Sequence, residues 1–172
     1  MLIESCRLLD NQSEDALNIV RSEFQMRRCL VQNTSSDGFD ADFCKGTVES
    51  SAFINTTNDG VDFSGSIITL TDVRMEACGD KGLSAGEASD ITLIDGIVSD
   101  CSIGLASKDQ STLHARRLSL KNCRQGLVAF QKKPEYGPAF LLVEQLEAEN
   151  NERLYQIAPG SRLQIDEEVI FE

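Results

Sequence analysis

The sequence predicts an all-β fold, a right-handed parallel β-helix (solenoid) with three strands per coil and about 7–8 coils of about 22 residues. Two internal repeats and the absence of any helical pattern carry that expectation. The first repeat is a ladder of glycines. Gly38, Gly60, Gly82, Gly104 and Gly126 stand 22 residues apart and open the phrases GFDADF, GVDFSG, GLSAGE, GLASKD and GLVAFQ. An apolar residue follows each glycine (Phe39, Val61, Leu83, Leu105, Leu127). Two positions on stand Ala41, Phe63, Ala85, Ser107 and Ala129, a period of two that gives one buried face. Ala16-Leu17-Asn18-Ile19 reads as an earlier copy without the glycine.

The second repeat lies between the glycines. ITLTDVRMEAC (Ile68 to Cys78), ITLIDGIVSDC (Ile91 to Cys101) and LHARRLSLKNC (Leu113 to Cys123) align without gaps. Segments beginning at Met1, Phe24, Val48 and Leu141 fit the same frame, with start-to-start spacings of 23, 24, 20, 23, 22 and 28. Leu163 to Glu172 reads as a partial copy. No segment carries the 3.6-residue apolar period of a helix, and hairpins would not return to one phrase every coil. A strict hexapeptide pattern, the mark of a left-handed coil, is absent. Strands about 4.8 Å apart make a rod roughly 35 Å long. The reading is a single β-helix over residues 1–172, with 131–139 as an inserted loop. Met1 enters the frame at its first position with no capping element before it, so the chain is expected to be a fragment of a longer protein or an assembly unit. Self-association or parent-chain domains would then meet the uncapped N-terminal end.

Composition removes several functions. A net charge of −12 disfavours nucleic-acid phosphate, which needs clustered Lys and Arg. No apolar run approaches about 18 residues, so no membrane span is expected. The six cysteines contain no CxxC pair, and His114 is the one histidine, which argues against zinc. In the repeat frame Cys78, Cys101 and Cys123 share a column with Asn11, Thr34, Asn58 and Asn151. Cys6 and Cys29 share one with Phe53, Val73 and Leu118, and Cys44 stands alone in a turn. These read as small residues stacked at a corner. His114, between inward Leu113 and Ala115, is expected to face solvent.

The outward side of the glycine-led strand carries the candidate chemistry. One column reads Asp40, Asp62, Ser84, Ala106, Val128, and the next Asp42, Ser64, Gly86, Lys108, Phe130. Asp37, Asp59 and Lys81 precede the glycines; Glu87 and Asp109 follow the strand; Lys132, Lys133, Glu135 and Tyr136 lie in the fifth turn. Like charges about 5 Å apart repel by about 0.8 kcal/mol in water and about 3 kcal/mol at a dielectric of 20. The pairs Asp40/Asp62 and Asp37/Asp59 therefore need an offset: Lys81, a cation such as calcium held by Asp37, Asp40, Asp59 and Asp62, or a raised pKa on one acid. Three readings fit. The strip is a solvated acidic face with Lys45 and Lys81 as counterions; a cation- or sugar-binding groove using Asp40, Asp42, Ser84, Lys132 and Tyr136; or a catalytic groove. In the last, Asp62, Lys81, Glu87, Lys108 and Asp109 would supply acid and base for glycoside hydrolysis, or a lysine base for proton abstraction beside a uronate carboxyl. The loop 131–139, stiffened by Pro134 and Pro138, reads either as part of the binding face or as a plain surface loop.

GLSAGE, GLASKD and the Asn-rich turns resemble the right-handed β-helix repeats of the pectin-lyase-like superfamily over nearly the whole chain. NDGVDFSGS, GDKGLSAGE, GLASKD and QKKPEYGPA are similar to a bacterial subgroup of β-helix proteins, often within multidomain chains. The resemblance implies polysaccharide as partner, lyase, epimerase or hydrolase chemistry if the chain is an enzyme, and a cell-surface or secreted location. It also implies a groove on one parallel sheet with acidic metal ligands and a basic residue, to which the strip of Asp40, Asp62, Lys81 and Lys108 is similar in kind. The lyase arginine motif and the epimerase DPHD motif are absent. A non-catalytic structural solenoid is the alternative.

Overall fold

A computed structural model describes residues 1–171. The strands are β1 (Leu2–Glu4), β2 (Arg7–Leu9), β3 (Asp15–Val20), β4 (Glu23–Arg27), β5 (Leu30–Thr34) and β6 (Asp37–Asp42). Then come β7 (Lys45–Thr56), β8 (Val61–Ser64), β9 (Ile67–Glu76), β10 (Lys81–Gly86), β11 (Asp90–Ser99) and β12 (Ile103–Lys108). The chain continues through β13 (Thr112–Lys121), β14 (Gln125–Phe130), β15 (Phe140–Glu149), β16 (Arg153–Ile157), β17 (Arg162–Ile165) and β18 (Glu168–Ile170). Among the described residues there is no helix, hence none long and apolar enough to cross a membrane.

These strands form a parallel solenoid of about seven turns. One sheet runs β16-β14-β12-β10-β8-β6-β3, and every pair in it is parallel. The other runs β1-β4-β7-β9-β11-β13-β15-β17-β18, with β2 and β5 beside its first strands. The three strands per coil survive in a modified form. In most coils the first two are one long strand, bent in the middle by a residue with positive φ: Ser50, Asp72, Asp95, Arg117 or Gln145. A second left-handed column, Asp10, Asn33, Asn55, Ala77, Asp100, Asn122 and Asn150, turns the chain toward the other sheet. Asn and Asp tolerate that backbone better than other non-glycine residues. Their side chains also pair between coils: Asn33 Nδ2 donates to Asp10 Oδ1 at 2.8 Å, and Asn55 Nδ2 to Asn33 Oδ1 at 2.8 Å.

The glycine ladder has a steric cause rather than a dihedral one. A Cβ on Gly60 would stand 2.7 Å from the carbonyl oxygen of Gly82 and 2.9 Å from Cys78 Sγ. Backbone and thiol close in on this corner, so a side chain does not fit. The core is one stack of buried Phe39, Phe53, Phe63, Leu70, Leu83, Leu93, Leu105 and their neighbours. Phe39 packs edge-on against Phe24 and Phe63, at centroid distances of 5.3 Å and 5.6 Å.

Three expectations need correction. The third coil begins at Gly46, not Val48, because Gly46 pairs with Phe24 and with Ile68. The apolar pattern misled there because the large Phe24 ring fills the space: a Cβ on Gly46 would lie 2.7 Å from it. With that shift Ser51 replaces Phe53 in the column of Cys6 and Cys29, and Thr56 replaces Asn58 in the column of Cys78. Cys44 is not alone. Its N–H donates to Ser66 Oγ at 2.9 Å, that of Ser66 to Ser89 Oγ at 2.9 Å, and that of Ser89 to Ser111 Oγ at 3.1 Å, a buried ladder. Finally, one hairpin exists: β18 folds back antiparallel on β17 at the C-terminal end. The partial copy is real as far as β17, where Leu163 pairs with Leu141; Glu172 lies outside the described residues.

All six cysteines are free. The neighbouring Cys123 and Cys78 thiols, and then burial, hold Cys101 well above the usual thiol range; its Sγ donates to the Ser99 carbonyl at 3.2 Å. His114 faces outward, its Nε2 2.9 Å from Glu144 Oε2.

The Phe24–Gly46 pair can be checked by mutation. Gly46→Ala is expected to cost about 1–3 kcal/mol in chemical denaturation through overpacking. Phe24→Leu in the same chain is expected to recover part of that loss, whereas independent sites would simply add.

Candidate functional site

The outward face of the β3–β16 sheet changes character along the axis. Parallel pairing puts Asn18, Asp40, Asp62, Ser84, Ala106, Val128 and Gln156 in one column. Beside it run Val20, Asp42 and Ser64, and then Gly86, with Lys108 and Phe130 paired further along. The face is acidic over the early coils, hydroxyl-bearing and cationic in the middle, and apolar over the later ones.

Asp62 and Lys108 meet although 46 residues separate them, with Nζ 3.4 Å from Oδ2. Lys108 crosses the intervening coil at Gly86, where a Cβ would lie 2.7 Å from its Cε. Glycine there opens the path. The other oxygen of Asp62, Oδ1, and Ser84 Oγ are both buried without a hydrogen-bond partner. Their registers are adjacent, since Ser84 pairs with Asp62. Buried oxygens without partners are uncommon and call for an explanation.

Asp40 lies one coil earlier and accepts from Asn18 Nδ2 at 2.9 Å. Burial, then Asp42 and Asp62, push its carboxyl up to about 7. Burial and then Glu87 raise Asp42 as well. Of the three offsets considered for aspartate repulsion, two are visible: lysine partners for Asp62 and Asp59, and a raised pKa on Asp40.

The remaining candidates have structural work. Asp37 Oδ1 accepts from the Asp59 N–H at 2.8 Å and from Asn58 Nδ2 at 2.6 Å; burial raises its pKa. Asp59 Oδ1 accepts from the Lys81 N–H at 3.0 Å and Lys81 Nζ at 3.3 Å. Burial pushes Asp59 up to about 6 against the pull of Lys81. Burial opposes the charge on Lys81, but Asp59 and Asp80 outweigh it and hold the amine above the usual lysine range. Lys81 is thus held as a cation between Asp59 and Asp80. Asp109 is fully buried and anchors the inserted loop, accepting from the N–H groups of Lys132 at 2.6 Å and Lys133 at 2.7 Å. Its Oδ2 has no partner. Glu87 pairs with Lys133. Lys132 is exposed, and Tyr136 is half-buried in a turn closed on Lys133.

Thus the five residues considered for catalysis separate. Asp62 and Lys108 come together, Lys81 joins Asp59 and Asp80, and Glu87 and Asp109 hold the loop. Asp40, Asp42 and Ser84 share the strip with Asp62, whereas Lys132 and Tyr136 belong to the loop. The four aspartates considered for calcium do not converge. Among the described residues no group of three or more carboxylate, thiol or imidazole side chains could hold a metal ion, and Asp37 and Asp59 are committed to backbone N–H groups. The buried oxygens of Asp62 and Ser84 were beyond sequence reasoning, because the covering lysine comes from two coils away.

The coil geometry, the one-way strand order and the outward strip define a right-handed β-helix. A family model described as right handed beta helix region matches residues 15–167, and the chain belongs to that family. No curated protein matches it.

The raised carboxyls make stability depend on pH in an unusual direction. Asp40 and Asp59 ionise at about 7 and about 6 when folded, against 3.8 as the ordinary value. Their contribution is fully present below the unfolded value and is lost as pH rises through the folded ones. The melting temperature is expected to fall between about pH 4 and about pH 7, and Asp40→Asn to flatten that slope, as read by circular dichroism.

Proposed function

We propose that the outward face of the β3–β16 sheet binds an extended carbohydrate chain laid along the solenoid axis. The observation that carries this reading is the adjacent pair of buried oxygens without partners, Asp62 Oδ1 and Ser84 Oγ, beside the Lys108 ammonium. Such a set can exchange hydrogen bonds with sugar hydroxyls once the ligand displaces the Lys108 side chain. The stacked coils set the outward columns in a straight line along the axis, which suits an extended chain. The resemblance of GLSAGE and GLASKD to pectin-lyase-like repeats supports the same class of ligand.

Affinity electrophoresis in gels containing a neutral β-glucan, polygalacturonate or chitosan tests the reading. At least one polymer is expected to retard the chain. Asp62→Asn combined with Lys108→Met is expected to weaken that binding about tenfold, the loss of one charge-assisted contact. Migration unchanged in every gel would overturn the reading, and retardation equal in the double variant would move the site elsewhere.

A second reading, glycoside hydrolysis, is favoured by one observation: Asp40, ionising at about 7, stands one coil from the ion-paired Asp62. A protonated carboxyl beside an ionised one is the requirement for acid and base roles. Hydrolysis would release reducing ends from the bound polymer at a rate that falls above about pH 7 and vanishes in Asp40→Asn. Retardation without reducing ends leaves binding alone. A lyase would instead form unsaturated uronate.

A further inference from the structure

Two regions of the same face flank the Asp62–Ser84 pair, and their chemistries differ. On one side Asp40 and Asp42 lie outward with no ion pair among the described residues. Burial and neighbouring carboxylates press on both. A ligand ammonium would relieve that repulsion, whereas a uronate would add to it. On the other side lies a recess of about 230 Å³ lined by Ile103, Val128, Ala129, Phe130, Gln156 and Ala158. It is apolar except for the Gln156 amide, whose Oε1 already accepts from Arg153 at 2.9 Å. Its free Nε2 can donate to a carbonyl. From β6 to β14 there are four strand steps, roughly 19 Å at 4.8 Å each, so a single ligand touching both regions spans several sugar residues.

We infer that the chain bound on this face is a partly N-acetylated amino-sugar polymer, with a protonated sugar amine over Asp40 and Asp42 and an acetamido group in the Val128–Phe130–Gln156 recess. The inference rests on the carbohydrate-binding reading and narrows it. An unsubstituted glucan satisfies neither end. A fully acetylated chain leaves the aspartates unpaired, and a fully deacetylated one leaves the recess empty. The Ser84 oxygen between the two regions is buried and without a partner, and it becomes a contact for a sugar hydroxyl only with the Lys108 side chain displaced.

Four β-1,4-linked hexasaccharides, alike except at the second carbon of each ring, test this by calorimetry at low salt. They are cellohexaose, the glucosamine hexamer, the N-acetylglucosamine hexamer and a half-acetylated hexamer. The half-acetylated hexamer is expected to bind at least tenfold tighter than cellohexaose and tighter than either uniform amino sugar. Asp40→Asn with Asp42→Asn is expected to lower its affinity at least tenfold, and to lower that of the fully acetylated hexamer far less, so that the preference between the two is lost. Gln156→Ala, at an exposed position that does not threaten folding, is expected to weaken only the acetylated chains. Equal affinity for all four would overturn the inference and leave the carbohydrate reading standing. Binding of a lysine hexapeptide as tight as the glucosamine hexamer would reduce the aspartates to an unselective polycation patch and overturn it too. No binding of any hexamer, together with unretarded migration in all polymer gels, would remove both readings.

Discussion

Parallel stacking in a constant register is the constraint from which the rest of this structure follows. Each strand satisfies its backbone groups with the equivalent strand of the next coil, at offsets that stay at 22 or 23 residues until the inserted loop raises them to 28. A position that suits one coil must therefore tolerate its copies above and below. That is why single columns of the sequence are chemically uniform: glycines where backbones crowd, Asn and Asp where φ is positive, small hydroxyls or thiols where a corner closes. The rule also makes like charges neighbours, and the protein relieves them with side chains that reach across coils, such as Lys108 and Lys81.

The same constraint separates structural acids from candidate functional ones. Asp37, Asp59 and Asp109 each accept backbone N–H groups at the entry to a strand or loop, and their charge is spent on geometry. Asp40, Asp42 and Asp62 point away from the coil, with Asp62 in reach of Lys108 alone among the cations. The proposed binding therefore draws on the strip, although the loop carries the more conspicuous sequence.

Much of this was legible from residue spacing. The glycine phrases disclosed the β3–β16 sheet with its in-and-out alternation, because period two and a 22-residue return leave little freedom. The strip of Asp40, Asp62 and Ser84 followed from the same columns. The third coil was misplaced because Gly46 stands at an inward position where an apolar residue is expected, and the compensating bulk comes from Phe24 in the coil before. Cys44 looked solitary because its ladder partners are serines, which do not announce themselves as a column with a thiol. The roles of Asp109 and Glu87 were hidden for a different reason. Their partners belong to a loop outside the repeat, where spacing carries no information about contact.

The loop itself has one consequence for engineering. The amides of its second and third residues, Lys132 and Lys133, are both held by the Asp109 carboxylate of the preceding coil, and its far end re-enters through Ala139, whose N–H donates to Ser161 Oγ at 3.1 Å. Neither of these anchors involves a side chain between Pro134 and Pro138. That bend can serve as a graft point for foreign peptides, displayed on a rigid rod whose windings need not adjust to the passenger.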